Sequence, residues 1–398
     1  MQEHLAPGRR AVLAVLSLLG ALLDGDHTVV VGVLVLHLAA VTLLHGPGKW
    51  TDKRAGIVRE GEFQNGKLHG QGKITYNHGT VREGVFQAGA LHGQGKIDDN
   101  HGTVRKGEFR NDQLHGPGKT TYAGGDVYEG EFRYGKLHGQ GKWTDADGDV
   151  EEGEFQNGQL HGQGKKTDEY GTISEGEFKD GQLHGQGKII SYGDVFKGEF
   201  QKGRLHGQGK KTDFLNNVTE GEFQNGQLNG QGTMTAAAGS TVLEGEFRDG
   251  KLHGRGTMTG DHVLLEGEFR NGKLHGLGKV TDNHNDAVYE GEFRHGKLHG
   301  PGKITADGAV YEGEFQHGKL HGQGKITDAD GSVREGEFQN GKLHGPGKIT
   351  YTDGDVYEGE YQAGALHGQG KVTDADGNVV EGEFQHGSAS WRSIAIMD

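Results

Sequence analysis

A unit of 22 to 24 residues, of which Tyr128-Glu-Gly-Glu-Phe-Arg-Tyr-Gly-Lys-Leu-His-Gly-Gln-Gly-Lys-Trp143 is one copy, recurs along most of this chain. The Gly of Glu-Gly-Glu-Phe marks its starts, from Gly61, Gly84 and Gly107 through to Gly359 and Gly382. A unit this short cannot bury a core alone, so it is stable only when stacked on its neighbours. That reasoning gives an array with a repeated surface in place of a globule around one pocket.

Within a unit, Tyr128-Glu-Gly-Glu-Phe132 alternates with period two, which puts Tyr128, Gly130 and Phe132 on one face and Glu129 and Glu131 on the other. Arg133-Tyr-Gly-Lys136 then supplies a turn, and Leu137-His-Gly-Gln-Gly-Lys-Trp143 returns. Each unit therefore reads as a β-hairpin. Pairing Phe132 with Leu137 in a regular ladder sets Glu131 opposite His138, Gly130 opposite Gly139 and Tyr128 opposite Gly141. In that register the recurrent glycines make room for aromatic rings, and Gly139→Val is expected to displace one.

The ruler Gly stands seven residues before the Leu in every complete unit, so length changes fall only between the returning strand and the next start. A slip inside a strand would invert its faces, so the variable stretch is a loop. The fold expected is all-β: an elongated, single-layer antiparallel β-hairpin repeat array over residues 44–387. At about 4.8 Å per strand, such a ribbon would run for roughly 130 Å before twisting.

The motif Tyr-Glu-Gly-Glu-Phe, turn, Gly-Lys-Leu-His-Gly-Gln-Gly resembles the MORN repeat, over about Gly48 to Gly387. Arrays of that family are antiparallel hairpin sheets. They occur in junctophilins, radial-spoke head proteins and protist cytoskeletal scaffolds, and as appendages on plant phosphatidylinositol phosphate kinases and a SET-domain methyltransferase. The resemblance implies a non-enzymatic scaffold that positions partners. Departures from the pattern are Val85, Lys106 and Lys197 in place of Glu, Tyr361 in place of Phe, and Asn229 in place of His. Units from about Phe196 to Ala287 are the least regular, which marks a bend or a binding platform.

The net charge of -14 argues against nucleic acid as a partner, since phosphate contacts need clustered Lys and Arg. With no Cys there are no disulfides or thiolate metal sites, and the chain fits a reducing compartment. The localisation expected is cytoplasmic, with membrane or cytoskeletal association. No phosphate loop, nucleophile elbow or zinc-protease helix motif is present, so no catalytic residue and no cofactor is assigned. The His row (His69, His92, His115, His138 and their equivalents) is read as structural, partnered by cross-strand Glu. Equivalent His in adjacent units would lie roughly 9.6 Å apart, too far to share a metal that each nitrogen must approach to about 2.0 Å. Asp145-Ala-Asp-Gly-Asp149 and its relatives are too short for calcium loops and read as turns.

Two rows are candidates for partner contact. The aromatic row comprises Tyr128, Phe132, Phe155, Phe178, Phe200, Phe223, Phe247, Phe269, Phe293, Phe315, Phe338 and Tyr361, and suits an apolar helix or peptide. The Lys row, at Lys73, Lys96, Lys119 and Lys142, suits anionic lipid headgroups, although alternating Glu dilutes its field. Exposed end strands offer pairing to a second copy, hence self-association.

Residues 1–43 share nothing with the repeat. Arg9-Arg10 precedes an apolar run from Ala11 to Leu23, and a second run spans Thr28 to Leu44. Three readings fit: a membrane anchor or signal, a cap on the first hairpin, or a mis-predicted segment. Residues 388–398 form a short tail, too small for a kinase or methyltransferase.

Overall fold

In the computed structural model, residues 44–389 are described. The apolar segment 1–43, with its anchor, signal and cap readings, and the tail beyond residue 389 lie outside the described residues. The chain is all-β there and divides into two units, Met1–Tyr192 and Gly193–Asp398. The first holds an antiparallel series from β1 (Gly46–Asp52) to β13 (Gln182–Ser191), and the second a series from β14 (Asp194–Gln201) to β31 (Ser388–Ala389). Among the described residues no helix is long and apolar enough to cross a membrane.

Hairpins form where the repeat predicts them. In the unit of Tyr128, β8 (Val127–Arg133) and β9 (Lys136–Thr144) flank a turn in which Tyr134 and Gly135 take φ of +51° and +77°. Positive φ at both central residues matches the right-handed twist of the strands it joins.

The register departs from the regular ladder. Phe132 does face Leu137, but Gly130 faces Gly141, Glu129 faces Lys142 and Tyr128 faces Trp143. The placements of Glu131 opposite His138, Gly130 opposite Gly139 and Tyr128 opposite Gly141 are therefore corrected. A bulge between Gly130 and Phe132 absorbs two extra residues of the returning strand, and it recurs in the other full repeats whose register is described, as between Gly153 and Phe155. The residues that a hairpin skips are used by the next one: Gly139 and Gln140 pair with Phe155 and Glu154 of β10 (Val150–Gln156).

A single layer with no helices can still bury rings, because the glycines let them lie flat on the strands. A Cβ on Gly48 would lie 3.8 Å from the Phe63 ring, and one on Gly141 would lie 3.0 Å from a Leu137 methyl. The next turn closes the other side, as where the Gly158 amide donates to the Leu137 carbonyl at 2.8 Å. Phe132 and Leu137 are 4% and 1% exposed in consequence. Burying one such side chain stabilises by roughly 1.5–3 kcal/mol, so each hairpin carries its share of the Phe–Leu core of its unit.

Gly139 has a different role from the one expected of it. Its φ is +102°, and a Cβ there would meet the Glu131 carboxylate, not a ring.

Candidate functional site

The sheet of each unit has two unlike faces, and the register decides what each presents. The Glu–Lys face carries ladder pairs such as Glu129 with Lys142. On it the four lysines of the Lys row each meet an acid: Lys73 with Glu83 at 3.7 Å, Lys96 with Asp98 at 3.0 Å, Lys119 with Glu129 at 2.9 Å and Lys142 with Glu152 at 3.8 Å. Three of these join a Lys to the first Glu of the following repeat. Lys96 is the exception because its neighbour in register is Lys106, and Lys106 also faces Lys119. Three cations thus stand side by side, and in the second unit Lys197 likewise faces Lys210.

The cross-strand Glu–His pairing is not found. The bulge swings Glu131 over Gly139, and the Nδ1 atoms of His115, His138 and His161 are buried without a hydrogen-bond partner. Several His rings pack instead against the turn of the following repeat: His115 on Tyr134, His299 on His317 and His367 on His386, with centroids 5.1 to 5.6 Å apart. This stacking was not legible from spacing, because it joins a strand position to a turn position of another unit. Among the described residues no group of three or more His, Cys, Asp or Glu is placed to hold a metal.

The Asp loops are self-capped. One carboxylate oxygen of Asp145 accepts from the amides of Asp147, Gly148 and Asp149 at 2.8 to 3.0 Å. Asp213 does the same for Leu215 and Asn217 while its other oxygen accepts from the Asn217 side chain. That side-chain bond leads in holding the Asp213 carboxyl below its usual range.

On the opposite face, the Phe members of the aromatic row (Phe132, Phe155, Phe178, Phe200, Phe223, Phe247, Phe269, Phe293, Phe315 and Phe338) and Tyr361 are 2 to 5% exposed and form the core. Burial also pushes the Tyr361 phenol above its usual pKa, and its hydroxyl donates to the Tyr357 carbonyl at 3.1 Å. Tyr128 stands apart. It is half-buried, in a row one step nearer the loops, where each strand contributes one side chain and the register keeps them in line.

The composition of that row changes along the chain. In the first unit it reads Trp50, Arg59, Ile74, Arg82, Ile97, Arg105, each facing the next. Its cations are engaged within the chain: Arg59 lies 4.6 Å from the Trp50 centroid, Arg82 meets Asp112 at 3.1 Å and Arg105 meets Asp99 at 3.9 Å. Tyr128 and Trp143 follow, 6.1 Å apart, and then Glu151 and Lys166 at 2.8 Å.

In the second unit the same row becomes continuously apolar. Met234 faces Leu243, which faces Met258, which faces Leu265. Val280, Tyr289, Ile304 and Tyr311 continue it. All eight are half-buried. Shallow depressions of about 350 and 300 Å³ open beside Met234 and Leu243 and beside Tyr289, Ile304 and Tyr311. This row, which the sequence reading did not separate from the Phe row, is the accessible apolar surface of that face.

Comparison with known proteins agrees with the repeat. The family described as MORN repeat matches fourteen consecutive segments, from residues 60–81 to 357–379. No curated protein matches the chain. Among solved structures, a streptogramin B lyase is 16% identical over 61% of this chain and 81% of its own, with a TM-score of 0.13. A catalytically inactive virginiamycin B lyase from Staphylococcus aureus with quinupristin is 12% identical over 79% of this chain and 91% of its own, also at 0.13. Likeness at that level carries no argument about fold or chemistry.

Proposed function

Since the chain belongs to the MORN repeat family, we propose that it is a non-enzymatic scaffold that holds protein partners along the face bearing Tyr128. The observation that carries this reading is the half-buried row on that face. The Phe–Leu core supports one side chain per strand at a set spacing, and the identity of that side chain varies freely from unit to unit while the fold does not. A surface built that way is suited to recognising an extended partner and offers no concentrated chemistry.

The test is to place a photo-crosslinking residue at Tyr128 or Tyr289 on this face, and at Gln140 or Gln163 on the Glu–Lys face, in cells that make the protein. Adducts from the Tyr positions and not from the Gln positions are expected. Adducts from the Gln positions alone, or from none, would remove the reading.

One observation favours a second reading, a peripheral tether to anionic lipid. Lys96, Lys106 and Lys119 form the one run in the described first unit where ladder lysines are adjacent. Basic clusters gain about 1 kcal/mol per cation near an anionic membrane surface. Flotation of the full chain with anionic and not neutral liposomes at physiological salt, reduced by Lys106→Glu, would support it. Equal flotation with both lipids would dismiss it.

A further inference from the structure

The half-buried stripe from Met234 to Tyr311 stands out from the rest of its row because nothing within its unit engages it. Where the row carries cations they are paired internally, and this holds at both ends of the stripe. Lys211, two strands before Met234, packs on Phe196 and lies 3.5 Å from Asp194, and Arg334, two strands beyond Tyr311, pairs with Asp328. Between those pairs the row carries no charge; Ile326 at its far end is buried, and the eight residues from Met234 to Tyr311 stay half-buried and form a contiguous, partly accessible apolar surface, the kind that marks an interaction site.

The two margins of the stripe carry opposite charge. Beside Met258 to Tyr311, the loops and the strand end leading into one of them contain Asp261, Asp282, Asp286 and Asp307, and no Lys or Arg, whereas the loop between Thr235 and Val242 is uncharged. The hairpin turns on the other side contribute Arg248, Lys251, Arg270, Lys273, Arg294 and Lys297 against the single acid Asp249. An apolar strip therefore runs between an acidic margin and a basic one.

Spacing selects the shape of the occupant. Side chains of the stripe follow one another at the strand separation, about 4.8 Å. An extended peptide presents same-face residues every 6.6–6.8 Å or so and falls out of step within two strands. An α-helix presents one apolar turn roughly every 5.4 Å, about 0.6 Å from the strand spacing, so it stays within half a spacing over about four strands, where an extended peptide is out of step within two. Eight strands give seven intervals, about 34 Å, which is about 22 residues of helix.

From these observations we propose that the stripe from Met234 to Tyr311 is the docking groove for an amphipathic helix of another protein, with basic residues flanking its apolar face on one side and acidic residues on the other. The basic flank lies along the Asp-bearing loops and the acidic flank along the Arg- and Lys-bearing turns, which sets the direction of the helix as well as its position. This rests on the scaffold reading above and specifies the chemistry of the partner.

The test uses the full chain and two synthetic 22-residue amphipathic peptides with the same Leu stripe, one with Lys on one flank and Glu on the other, one with Gln on both. The asymmetric peptide is expected to bind, to become helical on binding, and to bind at least threefold more tightly than the Gln peptide, a difference that closes at 0.5 M salt. Met258→Lys should weaken it tenfold or more, whereas Met258→Leu, which keeps the apolar surface, and Ile97→Lys in the other unit should leave it intact. A spin label at the peptide N-terminus should affect one end of the stripe, and exchanging the Lys and Glu flanks should move the effect to the other end.

Equal affinity of wild type and Met258→Lys, or a label effect equal at both ends, would overturn the proposal. So would failure of the peptide to bind. If crosslinks still form from Tyr289 in cells, the scaffold reading stands and only the helical, charge-asymmetric partner is lost; if they do not, both fall.

Discussion

Gly153 faces Gly164 across one hairpin so closely that a Cβ on Gly153 would stand 2.5 Å from the Gly164 Cα. Its φ of +144° adds a backbone conformation that L side chains rarely adopt. The pair closes each bulge, so Gly153→Ala should strain its hairpin by about 2–3 kcal/mol. Hydrogen exchange should then accelerate in Val150–Gln156 and Gln159–Thr167 and in the adjoining strands, and not in distant repeats, because stability in an array is a nearest-neighbour property. Unchanged protection there would show that the close approach has slack.

Phe155 is 4% exposed and Gln156, one residue on, is exposed at the turn. Phe155→Ala should cost about 3–5 kcal/mol, whereas Gln156→Ala should stay within about 0.5 kcal/mol. Local unfolding measured by exchange or limited proteolysis around residues 150–167 would separate the two.

Lys106 faces Lys96 on one side and Lys119 on the other. Like charges directly opposite are destabilising, so Lys106→Glu should raise stability by about 0.2–1 kcal/mol at low salt. The gain should fade at 1 M salt, where the Debye length is only about 3 Å. A melting temperature unchanged or lowered at low salt would show that Lys106 is engaged otherwise.

The loop carboxylates make stability depend on acid. At Asp374 the Asn378 side chain, followed by the Asn378 amide, holds the pKa below its usual value, and Asp282 is likewise lowered, chiefly by the Asn285 side chain. A group depressed in the folded state contributes stability that is fully present above its unfolded pKa, about 3.9, and is lost as pH falls through the lower folded value. Melting should therefore be flat from neutrality to about pH 5 and fall below about pH 4. Asp374→Asn should weaken its loop at neutral pH and flatten that acid limb, as followed by exchange in the loop between Thr373 and Val379.

Much of this molecule was legible in the order of its residues. The period-two alternation of Tyr128 to Phe132, the turn glycine at position 135 and the constant interval from ruler Gly to Leu are local, and they set hairpins, turn positions and loop positions without reference to anything distant. The split into one face of Glu and Lys and another of Phe and Leu follows from the same alternation, as does the Phe–Leu pairing at each turn.

What the tertiary structure decided is the register beyond that first pair. A bulge after Gly130 moves Gly141, not Gly139, opposite it, because positive φ at the glycines lets a strand take up two extra residues that side chains would forbid. From that shift come the loss of a Glu131–His138 pair, the burial of the Phe rings and the alignment of a second row from Tyr128's position. Whether Met234, Met258 and Tyr289 share one uncovered stripe depends on which residues of separate repeats stand side by side. Pairing between strands of different repeats is set by hydrogen bonds and packing across the sheet, and no spacing within a single repeat encodes it.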